Sequence, residues 1–96
     1  MRPVDIATLF GRNLARARTR AGLSQEALAV RATLHRTEIG LLERGERLPR
    51  IDTVIKVAGA LSIPPTELIK GIEWTPGSTT IGEFKLGPGN DDPRAS

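Results

Sequence analysis

Ninety-six residues, 39% of them apolar and 10.4 kDa in all, suffice for one small core and not for two, which excludes most multi-domain enzymes. Cysteine is absent, so a disulfide framework and a cysteine-ligated zinc site are excluded, and the core has to hold by packing or by association with another chain. Charge is uneven: residues 1–50 carry ten arginines and five acids, net +5, whereas residues 51–96 are net −2, so the first half suits a polyanion. No run approaches the roughly 18 apolar residues that cross a bilayer, and Met1-Arg2-Pro3-Val4-Asp5 lacks the apolar stretch of a signal peptide. The expectation is a cytoplasmic protein with no membrane contact.

Ile6, Phe10, Leu14, Ala17 and Ala21 recur at helical spacing, which predicts a helix over about 5–21 with Arg12, Arg16 and Arg20 off its apolar face. Gly22 ends it. Ser24 is a natural N-cap for a short second helix ending near Ala32, and Leu23 can pack back on Leu28. From Arg36 to Glu43 a third short helix places Ile39 and Leu42 on one side and Arg36, Thr37, Gly40 and Leu41 elsewhere, and Gly45 stops it.

After Pro49, the positions Ile51, Val54, Ile55, Ala58 and Leu61 predict the apolar face of a fourth helix, broken at Ser62-Ile63-Pro64. Pro65 suits the first position of a fifth helix, to which Leu68 and Ile69 give an apolar side before Gly71. Ile72 to Gly77 reads as a loop. Thr80 to Leu86 alternates weakly, with Phe84 and Leu86 on one side, and reads as a single strand. One strand cannot stand alone, so it has to pair with a second chain, add to another sheet or stay without order. Residues 87–96 read as a flexible tail.

Gly22-Leu23-Ser24-Gln25-Glu26-Ala27-Leu28-Ala29, then Ile39-Gly40-Leu41-Leu42-Glu43-Arg44-Gly45, then Pro49 and an apolar helix, resembles the Cro/repressor-type helix-turn-helix family, often called XRE-like. The resemblance runs from about Phe10 to Lys70. It is specific because small, apolar and polar positions fall in order over about twenty residues. It implies an all-α, five-helix repressor-like domain over residues 5–71, an extension over 72–86 and the tail beyond. Independently of the family, Ala29 has to be small where the second and third helices cross, while Leu28, Leu34, Ile39 and Leu42 fill the wedge between them.

Two positions depart from the family pattern. Thr33 stands where the turn usually has glycine, so either the turn geometry differs or a β-branched residue carries the strain of positive φ, of order 1 kcal/mol. Pro64 stands where a capping Ser or Asp is common, which removes a cap from the fifth helix.

In the family the third helix lies in the major groove, and its first turn faces base edges. The resemblance carries that role to His35, Arg36, Thr37 and Leu41. Arg36 can donate two bonds to guanine, and Thr37 or Leu41 can touch a thymine methyl. His35 sits at the N-cap position and could instead face water or a phosphate. Glu38 could accept from cytosine, repel wrong sequences or only favour the helix N-terminus, so it receives no base. Phosphate contacts fall on Ser24 and Gln25 at the second helix's N-terminus, and on Arg44, Arg47 and Arg50 in the loop after the third helix. Arg18 and Glu43 match a structural ion pair that ties the first helix to the end of the third.

One histidine, no cysteine, no glycine-rich phosphate loop and no HExxH leave no candidate catalytic set, and neither cofactor nor metal is expected. The function expected is that of a transcriptional regulator binding double-stranded DNA as a homodimer. A single helix reading about four base pairs meets its site about once in 256 positions, and two copies about once in 65,000. Trp74, Phe84 and Leu86 supplement either the dimer surface or the core. The alternative is an antitoxin-like or adaptor module whose extension holds a second protein, with a coactivator-like use of the same fold as a lesser third reading.

Overall fold

The computed structural model describes residues 3–77 and 82–87. Four helices run in chain order: α1 (Pro3–Arg20), α2 (Gln25–Ala32), α3 (Arg36–Glu43) and α4 (Ile51–Leu61). A single 3-10 turn (Pro65–Glu67) follows, and then an antiparallel pair of strands, β1 (Ile72–Thr75) and β2 (Glu83–Leu86). The helices enclose one core in which Phe10, Leu14, Leu28, Ile39, Leu42, Val57 and Leu68 are fully buried. Burying an aliphatic or aromatic side chain of this size is worth about 1.5–3 kcal/mol, so these positions supply most of what orders the domain.

Local chemistry sets the helix ends. Ser24 Oγ accepts from the Ala27 N–H at 3.0 Å and caps α2. Its other end closes at Thr33, which is left-handed at φ 59°, with the Leu34 N–H donating to the Ala29 carbonyl at 2.8 Å. The turn between α2 and α3 therefore keeps the geometry that glycine favours and carries the strain of a β-branched residue. Ala29 is buried on the inner side of α2.

Several expectations need correction. The fifth helix is only the 3-10 turn: Pro64 offers no side-chain acceptor to start a longer one. Moreover, the buried Asn13 amide donates to the carbonyls of Leu68 at 3.0 Å and Lys70 at 3.1 Å, oxygens that a continuing helix would use itself. Leu68 reaches the core all the same.

The apolar face of α4 is rotated from the one expected. Thr53, Val54, Val57, Ala58 and Leu61 point inward, while Ile51 and Ile55 point outward, 78% and 53% exposed. Gly40 and Ala21 are likewise misplaced by pattern alone: Gly40 is buried, and Ala21 is exposed just past the end of α1.

The extension is not one strand but a hairpin within the chain. Ile72 pairs with Leu86, and Trp74 with Phe84, whose rings meet edge-to-face at a centroid separation of 5.0 Å. Ile72 and Trp74 alternate with Glu73 and Thr75, so β1 has the same period of two as β2. The Gly87 N–H donates to the Gly71 carbonyl at 2.8 Å and closes the base of the hairpin, while β2 lies against α1. Residues 80 and 81 of the expected strand and 88–96 of the expected tail lie outside the described residues.

Candidate nucleic-acid interface

The short helix α3 is held from behind and open in front. Ile39 and Leu42 are fully buried on its inner side, while His35, Arg36 and Thr37 are exposed at its start and Leu41 is half-buried further along. His35 occupies the N-cap position, yet its side chain makes no capping bond. The Arg36 guanidinium has no hydrogen-bond or ion-pair partner among the described residues. Five N–H donors thus stand in solvent on a rigid helix.

What makes α3 rigid is its contact with α1. A Cβ on Gly11 would run into the backbone carbonyls of Leu42 and Glu43, so the two helices meet backbone to backbone there. Gly45, at φ +74°, repeats the arrangement at the next loop, where a Cβ would lie 3.0 Å from the Thr8 Cα. Sequence reasoning passed over Gly11. The available signal was a glycine inside an otherwise good helical run, which costs about 1 kcal/mol and therefore asks for a packing reason.

Arg18 and Glu43 lie across this joint. Arg18 Nε donates to Glu43 Oε2 at 2.6 Å and Nη2 to Oε1 at 3.0 Å, while Nη1 donates to the Leu23 carbonyl at 2.8 Å. The Glu43 side chain is only 7% exposed. Its hydrogen bond, more than its charge, pushes the Arg18 pKa up against the lowering effect of burial. Gln25 Nε2 gives one hydrogen to Glu43 Oε1 at 3.0 Å, so the carboxylate fixes the start of α2 as well. This link to Gln25 was not foreseen.

At the N-terminus of α2 the Ser24 hydroxyl takes the Ala27 N–H, and the Leu28 N–H closes on the Ser24 carbonyl. The backbone N–H groups of Gln25 and Glu26 precede the first closed helical bond and point outward, where the helix dipole favours an anion.

Beyond α3 every loop arginine has an acidic neighbour. Arg44 grips Glu46 at 3.0 Å, Arg47 reaches back to Glu38 at 3.2 Å, and Arg50 lies 3.2 Å from Asp52. These pairs are exposed and weak, worth about 0–1 kcal/mol, so each arginine can exchange its partner for another anion. The Glu38 carboxylate, beside the exposed turn of α3, is in this way covered by a cation.

A sequence model of the helix-turn-helix family matches residues 14–68, which is more than half of the chain. The chain belongs to the helix-turn-helix family of transcriptional regulators. This helix-turn-helix protein is similar to the HTH-type transcriptional regulator y4dJ of Sinorhizobium fredii, 36% identical over 79% of this chain and 99% of the relative. Control protein C.BamHI of Bacillus amyloliquefaciens is 38% identical over 68% of this chain and 82% of its own. Among solved structures, the restriction-modification controller protein C.AhdI of Aeromonas hydrophila superposes with a TM-score of 0.63 at 44% identity, covering 65% of this chain and 94% of that one. These relatives are regulators, not enzymes. Among the described residues no helix is long and apolar enough to cross a membrane.

The structure brings His35, Arg36 and Thr37 together on one exposed turn, with Leu41 one turn on. Trp74, Phe84 and Leu86 lie together on the hairpin, with Trp74 55% exposed and Phe84 and Leu86 half-buried.

Proposed function

We propose that this helix-turn-helix protein binds a two-fold related operator as a homodimer, working in the cytoplasm, with α3 in the major groove of each half-site. The observation that carries the reading is the Arg36 guanidinium, without a partner among the described residues on the outer side of a helix whose inner side is locked into the core. Arg36 donates in bidentate fashion to guanine O6 and N7, while Thr37 or Leu41 meets a thymine methyl and His35 reaches a base edge from the same turn. Ser24, the Gln25 backbone N–H and the second Gln25 amide hydrogen hold a phosphate at the start of α2. Arg44, Arg47 and Arg50 take phosphates by exchanging their carboxylate partners, and Arg18 stays structural.

In this reading residues 5–71 are the DNA-binding domain and the two copies meet through the outer face of α4. Ile51 and Ile55 stand one turn apart there, with the half-exposed Leu48 just before them, which is the kind of apolar surface that a stable contact removes from water. Half-sites then lie about one helical turn of DNA apart, near 10 base pairs. Similarity to the restriction-modification controller protein C.AhdI, and to control protein C.BamHI, favours control of a restriction-modification system as the narrower role.

Selection of bound duplexes from a random pool, run with wild type and Arg36→Ala in parallel, tests this. The expected result is a two-fold motif that loses preference at one symmetric pair of positions in the variant. Absence of any enriched motif overturns specific reading, and a monomer by sedimentation at micromolar concentration with and without the selected DNA overturns the dimer. A second reading, in which the hairpin holds another protein, is favoured by the exposed Trp74. It expects Trp74→Ser to lose that protein while keeping operator affinity.

A further inference from the structure

The cavity with the most definite chemistry lies away from the reading helix. It has a volume of about 280 Å³ and sits between the C-terminal half of α1, the end of α4 and the 3-10 turn. Ala17, Leu61 and Ile63 give it an apolar wall, and Arg16, Arg20 and Lys70 stand on its rim. Among the described residues the rim has a single carboxylate, Glu67, which already lies 3.7 Å from the Lys70 ammonium. Arg20 has no ion pair among the described residues. We infer that this cavity binds a small organic anion, a carboxylate carried on a compact apolar body, independently of DNA.

Size, shape and charge each narrow the occupant. Ligand clefts span about 300–1,000 Å³, and a site just below that range holds a small molecule, not a dinucleotide. The apolar wall rewards a hydrocarbon body. Lys70 is matched by Glu67, whereas Arg20 has no ion pair among the described residues, which favours an anionic head and rejects a cationic one.

The site is also built in advance of binding. The buried Asn13 amide ties the Leu68 and Lys70 carbonyls to α1 and so fixes one wall against the other. Its position leaves DNA untouched: Gly11 faces α3, whereas residues 16 and 20, at 100° per residue, lie roughly on the opposite side of α1.

Titration of the full chain with 3-phenylpropionate at constant ionic strength, followed by amide NMR, tests the inference, with 3-phenylpropionamide as the neutral match. The expected result is saturable shifts confined to residues 13–21, 61–63 and 67–70. The expected dissociation constant is below about 1 mM, at least fivefold tighter than for the amide and at least threefold weakened by Arg20→Gln. Because Arg20 is exposed, that variant keeps its fold, which the unchanged remainder of the spectrum verifies. Equal affinity for the amide, an unaffected Arg20→Gln variant, or linear shifts spreading to Arg36 and Arg44 each overturn it; the last outcome marks general screening of arginines by added anion. Absence of shifts up to 10 mM overturns it as well.

Discussion

The two ends of α3 use the same side-chain types for opposite purposes. At its C-terminal end Arg18, Glu43 and Gln25 saturate one another in a largely buried cluster. At its N-terminal end His35, Arg36 and Thr37 stand in solvent, and the arginine has no partner among the described residues. Burial is what separates them. A guanidinium enclosed with a carboxylate becomes a fastener whose loss strands a charge, whereas one in water remains ready to donate to an external acceptor.

Removing a fastener therefore has the largest expected effect. Arg18→Ala leaves the Glu43 carboxylate buried with only Gln25 beside it and is expected to cost about 3 kcal/mol of stability by chemical denaturation. Arg18→Lys recovers only part, because an ammonium cannot make the two parallel bonds. Since the pair raises the Arg18 pKa above its unfolded value, its contribution is present from neutral pH up to the arginine range and is lost on the alkaline side only as pH rises through the raised value. A denaturation midpoint that falls between neutral and mildly alkaline pH therefore has another cause. Loss of less than about 1 kcal/mol in Arg18→Ala would place the pair among exposed ones and erase the contrast between the two ends.

At the open end the order of effects reverses. Arg36→Ala is expected to weaken operator binding by about 1–3 kcal/mol while leaving the unfolding midpoint unchanged. A drop in stability of similar size would show that Arg36 acts in the fold instead.

Between the two ends stands the Thr33 turn. Thr33→Gly relieves left-handed strain at some cost in chain entropy, and a net gain of about 0.5–1 kcal/mol in thermal unfolding is expected. The smallest effect belongs to the exposed pairs. Glu46→Gln releases Arg44 and is expected to change stability by less than about 0.5 kcal/mol and to strengthen DNA binding slightly at low salt, with the gain fading as salt rises.

Legibility in the sequence followed the locality of the physics. Ser24 as cap, the limits of α3 and the choice at Thr33 between an altered turn and a strained one were readable because each depends on a few neighbouring residues and their φ preferences. The exposed reading turn was readable because the order of small, apolar and polar residues around it resembles a known family. Asn13 and Gly11 were not, since an amide reaching carbonyls 55 and 57 residues away and a crossing of two backbones leave no periodic trace. β1 was missed for a different reason: four residues before Pro76-Gly77 look like a loop until Phe84 is placed opposite Trp74.

Composition and order alone determined the basic first half and the first four helices, while the family resemblance implied the helix-turn-helix frame and the pairing of Arg18 with Glu43. Only the tertiary structure decided which side of α4 faces inward, that the fifth helix stops after one 3-10 turn, and that the extension folds back as a hairpin on α1. In α4 the apolar residues Ile51, Val54, Ile55, Val57, Ala58 and Leu61 cover more than one face, so periodicity allows several rotations. The choice among them is made by α2 and the Pro65–Glu67 turn packing against it, a contact between residues distant in the chain.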